Sequence, residues 1–79
     1  MRLRVFVTLK PGVLDPQGEA IRQALGGLGF SGVDAVRQGK VIDLDLAETD
    51  ADAAEAEARR MCEALLANTV IEDFAVERL

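Results

Sequence analysis

The 79-residue chain has no histidine, no tryptophan and no tyrosine, and it has one cysteine and two prolines. A single cysteine excludes an internal disulfide, and the lack of histidine excludes a histidine-based metal site or a histidine-activated nucleophile. The aromatic content is three phenylalanines, and the net charge is -5. Nucleic-acid binding calls for a basic face with stacking rings, so this composition argues against it. No apolar run approaches the roughly 20 residues of a membrane span. Met1-Arg2-Leu3-Arg4 enters a strand pattern at once and leaves no room for a signal peptide. The expectation is a cytoplasmic protein with neither nucleic acid nor membrane among its partners.

What is present amounts to one small domain, residues 1–79. Below about 80 residues a core is marginal, and disulfides, metals or oligomerisation supply the missing stability. With the first two excluded, oligomerisation is expected.

Hydropathy alternates with period two over Arg2–Lys10, placing Leu3, Val5, Val7 and Leu9 on one strand face. Asp15 as N-cap and Pro16 at the first position open a helix to Leu28, and Gly29 ends it at C′. Its stripe is Ile21, Ala24, Leu25 and Leu28. A hairpin follows, with arms Val33–Arg37 and Val41–Leu46 and a turn at Gln38-Gly39, Gly39 supplying positive φ. A second helix starts at Thr49 or Asp50, with Thr49 and Asp52 resembling a capping box. Its stripe is Ala54, Ala58, Met61, Cys62 and Leu65, and it ends near Ala67 with Asn68 as a left-handed cap. The last strand is Glu72–Arg78. The order β-α-β-β-α-β predicts an α+β, ferredoxin-like two-layer sandwich, two helices on one face of an antiparallel sheet. Basic residues of the first strand then meet acids on both neighbours, which places that strand centrally. Phe6, alone among the charges of the open face, marks a self-association surface.

No catalytic apparatus is visible. Cys62 sits in an apolar stripe and reads as a small buried hydrophobe. Ser31, Thr8, Thr49 and Thr69 have no triad partners. Asp43 and Asp45 share a strand face about 7 Å apart, and ion pairs with Arg2 and Arg4 account for them. The only two lysines, Lys10 and Lys40, both stand beside glycine-containing turns. No phosphate-cradling spacing accompanies them. Gly18, inside the first helical turn, weakens the helix by about 1 kcal/mol relative to alanine. Something therefore packs against the backbone there: the chain itself, a partner or a ligand.

The stretch Leu9-Lys10-Pro11-Gly12-Val13-Leu14-Asp15-Pro16-Gln17-Gly18 resembles the opening signature of the PurS subunit of phosphoribosylformylglycinamidine synthase. Val36-Arg37-Gln38-Gly39-Lys40 and Met61-Cys62-Glu63-Ala64-Leu65-Leu66-Ala67-Asn68 fit the same family, with Thr69 where that family implies proline. The resemblance spans the chain. It implies a non-catalytic subunit of the enzyme that makes formylglycinamidine ribonucleotide in purine biosynthesis. The implied partners are a glutaminase subunit (PurQ-like) and a synthetase subunit (PurL-like), bridged so that ammonia passes between them. It also implies a homodimer or dimer of dimers, with no cofactor in this chain and ATP and magnesium on the synthetase. Carried over by motif, the contact candidates are Lys10, Pro11, Gly12, Asp15, Gly18, Arg37, Gly39, Lys40 and Asn68. From residue content alone, a small dimeric ligand-sensing regulatory domain is the alternative.

Overall fold

A computed structural model describes residues 1–79. Strand β1 (Arg2–Leu9) runs through its middle. Its alternation sends Leu3, Val5 and Val7 to one face, where all three are buried. Strands β2 (Gly39–Asp45) and β3 (Glu72–Arg78) flank it, both antiparallel, in the order β2-β1-β3. The central position of the first strand is as the charges predict. Arg4 stands opposite Asp43 on one side and Glu77 on the other, and Arg2 stands opposite Asp45. Arg4 Nε donates to Asp43 Oδ1 at 2.8 Å, and Lys10 Nζ reaches Asp73 Oδ1 at 3.1 Å. These pairs are half in solvent, so they select register more than they add stability.

Helix α2 (Ala51–Met61) covers the apolar face of the sheet. Asp50, rather than the predicted pairing of Thr49 with Asp52, caps it, accepting from Ala53 N at 2.9 Å. Glu48 instead takes the Thr49 and Asp50 amides, both at 3.0 Å. Ala54, Ala58 and Cys62 are buried against the strands, as their spacing predicts. The small alanines let the helix approach the sheet closely. Near the start of the helix, Arg78 of β3 donates to both Glu55 and Asp52, at 2.8 and 2.6 Å, and ties it to the sheet edge.

The stripe slips by one residue at the end of this helix. Cys62–Leu66 forms a π-helical turn, closed by Ala67 N donating to Cys62 O at 3.0 Å. One extra residue per turn rotates all that follows by about 100°. Leu66 and Ala67 therefore join the core, and Leu65, expected there, is 84 % exposed. Ala67 is already extended, and no non-glycine residue has positive φ, so Asn68 is not a left-handed cap. It closes a turn into β3 through its side chain, Oδ1 accepting from Val70 N at 3.2 Å.

Helix α1 (Pro16–Gly27) forms where predicted, with Gly29 at φ +98° behind it. The α+β class and the ferredoxin-like strand order stand, with two corrections to the detail. Val33–Arg37 is not a strand, and Gly39 has no positive φ, so the hairpin is open and the sheet has three strands. Nor does α1 lie on the sheet: Ile21, Leu28 and Phe30 remain exposed, and α1 contributes nothing to either core cluster. The molecule is 48 × 25 × 14 Å, with a radius of gyration of 15.9 Å. A compact chain of this length has about 12 Å.

Candidate functional site

The nine contact candidates, scattered from residue 10 to residue 68, meet at one end of the sheet. β1 ends there, while β2 and β3 begin there, because both run antiparallel to it. The connection into α1, the stretch before β2 and the turn before β3 therefore emerge side by side.

Lys10 anchors the group. Its N–H donates to Ile71 O at 2.8 Å, and its carbonyl accepts from Val13 N at 3.1 Å. The second bond closes a four-residue turn with Pro11 and Gly12 at its corners. Gly12 has φ +86°, the value a type II turn demands at its third residue, and proline suits the second. Pro11 and Gly12 are exposed.

Asp15 and Arg37 then bind this loop to the stretch that precedes β2. The Asp15 carboxylate accepts from Gly18 N at 2.8 Å and from Gln38 N at 2.7 Å. Those two bonds, Gln38 first, hold it below the ordinary carboxylate range. The Arg37 guanidinium donates to Val13 O at 2.7 Å and to Lys10 O at 3.2 Å. It serves as a loop clasp and has no acidic partner within ion-pair distance.

Gly18 has its explanation in the same contact. A Cβ there would fall deep inside the Val36 carbonyl oxygen and 2.8 Å from Asp15 Oδ2. The close neighbour is this chain's own backbone. Gly39 is required for a parallel reason, not for the expected positive φ: a Cβ would lie 2.6 Å from Val7 O. Asn68 shapes the adjoining turn, its carbonyl accepting from Glu72 N at 2.7 Å.

Lys10, Asp15, Gly18, Arg37, Gly39 and Asn68 thus build the surface, and Pro11, Gly12 and Lys40 present it. Lys40, the first inward-facing residue of β2, has no carboxylate within salt-bridge distance. It borders a cleft of about 290 Å³ shared with Leu9, Asp15, Gln38 and Glu72. No cluster of three or more cysteine, aspartate or glutamate side chains has the placement of a metal site. Two apolar residues were missed as presenting groups: Leu14, 87 % exposed, and Val70, 81 % exposed. The signal was their type, since an aliphatic side chain in a connector covers no core. Phe6 lies on the other face, half-buried between Val41 and Ala75.

Residues 2–79 match the family described as PurS, phosphoribosylformylglycinamidine (FGAM) synthase. The chain belongs to the PurS family. It is 49 % identical over 74 residues to the phosphoribosylformylglycinamidine synthase subunit PurS of Synechocystis, covering 94 % of this chain and 74 % of that protein. The crystal structure of Bacillus subtilis PurS superposes with a TM-score of 0.86 at 45 % identity, over 96 % of this chain and 94 % of that one. A PurS-like chain in the structure of PurLQS from Thermotoga maritima superposes with a TM-score of 0.89 at 31 % identity, over 99 % and 95 %. PurS is a small non-catalytic subunit of an FGAM synthase, and purine biosynthesis is the setting of this chain. The regulatory-domain alternative gives way to that membership.

Proposed function

We propose that this chain, acting as a single unit over residues 1–79, bridges a glutaminase subunit and an ATP-using synthetase subunit. It helps ammonia released from glutamine reach the synthetase without escaping to bulk water. The observation that carries this reading is the convergence of all nine motif residues on one end of the sheet. Six of them are spent on holding three connections in fixed shape, which preorganises what the others present. Bridging works by effective concentration: two active sites held together exchange a small intermediate faster than two free proteins do.

In this reading ATP and magnesium belong to the synthetase, and no cofactor is assigned to this chain. The complex acts in the cytoplasm. The chain works as a homodimer or a dimer of dimers, with the Val41–Phe6–Ala75 band as one contact surface. Phe6→Asp should lower the oligomer's mass by light scattering, and an unchanged mass removes that band from the account.

The test of the bridging surface is sedimentation of the three subunits together. Wild-type chain should enter a heavy complex. Leu14→Asp and Lys40→Glu, both at exposed positions, should stay behind while keeping their circular dichroism. Full incorporation of both variants would place the contact elsewhere.

A further inference from the structure

Lys40 and Glu72 flank β1 at the end of the sheet where the three connections emerge. Lys40 stands opposite Val7 and Glu72 opposite Leu9, so all four share the inner face. Two strand spacings, about 10 Å in all, separate the backbones of Lys40 and Glu72. The cleft of about 290 Å³ lies here, with Val7 and Leu9 as its aliphatic lining and Asp15, Gln17 and Gln38 around it.

The fold leaves most of the polar groups of this cleft unused. The Lys40 ammonium has no carboxylate within salt-bridge distance. Glu72 spends Oε1 on Asn68 N at 2.7 Å, and its second oxygen takes no hydrogen bond from the chain. The side-chain amides of Gln17 and Gln38 have no partner in the chain either, since Gln38 bonds Asp15 through its backbone N–H. Asp15 is the exception. Its two oxygens accept from Gly18 N and Gln38 N, and these bonds keep it charged.

A free cation, a free carboxylate oxygen and two free amides around an aliphatic lining suit a small molecule that carries both charges. A simple anion would pair with Lys40 but face Asp15 and Glu72, and a simple cation would face Lys40. We propose that this cleft binds a free α-amino acid with an uncharged side chain. Lys40 Nζ donates to the α-carboxylate, and the free oxygen of Glu72 accepts from the α-ammonium. The side chain of the ligand lies over Val7 and Leu9, with Gln17 and Gln38 beside it. Asp15 repels an acidic side chain, and the aliphatic lining makes burial of a basic one costly. The site adds a ligand to the subunit role. It does not depend on bridging, because every group in it belongs to one copy of this chain.

The test is isothermal titration calorimetry on the whole chain, without other subunits. The probes are L-leucine, L-glutamine, L-glutamate and two analogues of leucine: isocaproate, which lacks the ammonium, and isoamylamine, which lacks the carboxylate. L-Leucine or L-glutamine should bind, one per chain, at millimolar concentration or below. L-Glutamate and both analogues should bind at least tenfold more weakly. The bound amino acid should also raise the melting midpoint. Lys40→Met and Glu72→Gln should each weaken binding at least tenfold with circular dichroism retained. Glu72→Gln keeps an acceptor for Asn68 N, so the turn before β3 survives. Three results would each overturn the proposal. They are no binding of either neutral amino acid at millimolar concentration, isocaproate binding as tightly as L-leucine, and unchanged affinity in Lys40→Met or Glu72→Gln.

Discussion

The carboxylate of Asp15 accepts from Gln38 N at 2.7 Å across 23 residues of sequence while it also caps α1 through Gly18 N at 2.8 Å. One side chain thereby starts a helix and fixes the stretch that leads into β2. The two bonds fall on different carboxylate oxygens, and an asparagine offers an acceptor at only one of those two places and an NH2 donor at the other. Asp15→Asn should therefore melt lower than wild type at neutral pH. Asp15 is more acidic folded than unfolded. Its contribution is full above the unfolded value of about 4 and is lost as pH falls through the lower folded value. The gap between the two melting midpoints should close on acidification, and a gap that is equal at pH 7 and below pH 3 would contradict the assignment.

Gly18 and Gly26 sit in the same helix and should respond to alanine with opposite signs. At Gly26 nothing lies within 4 Å of the place a Cβ would take, so Gly26→Ala should stabilise by about 0.5–1 kcal/mol. At Gly18 the Val36 carbonyl blocks the position, and overpacking of this kind costs about 1–3 kcal/mol. Urea unfolding of the two variants checks both. Equal effects would mean that the α1 start does not pack on the Val36 backbone.

Cys62 and Leu65 test the π-helical turn. Burial pushes the Cys62 thiol up, so it should resist thiol reagents until the chain unfolds. Cys62→Ser places a hydroxyl in an apolar cluster and should cost about 1–3 kcal/mol. Leu65→Ser should stay within about 0.5 kcal/mol, because the turn has rotated Leu65 out to solvent. A regular helix would bury Leu65 and reverse that expectation. Thermal unfolding of both variants decides.

Elements whose pattern is local were legible in the sequence. The alternation of Leu3, Val5 and Val7 marked β1 and its contribution to the core, and the opposing charges of Arg4, Asp43 and Glu77 marked the strand order. Asp15, Pro16 and Gly29 marked the limits of α1. What was not legible depended on where a regular element is taken by the rest of the chain. The stripe of α1 is helical, but a stripe does not say whether its own sheet or another molecule covers it. Gln38-Gly39 reads as a turn by composition, whereas Gly39 is needed for its close approach to Val7 O. A π turn has no signature in hydropathy, and so Leu66 and Ala67 hold the core place expected of Leu65. The site itself was legible as residues but not as a surface, because its assembly rests on long-range hydrogen bonds made by the side chains of Asp15 and Arg37.

The most direct test of the bridging role is amidine formation by the purified glutaminase and synthetase subunits, with and without this chain. Turnover with glutamine should require the chain, and turnover with free ammonia should not. Equal glutamine-dependent rates in its presence and absence would contradict the account.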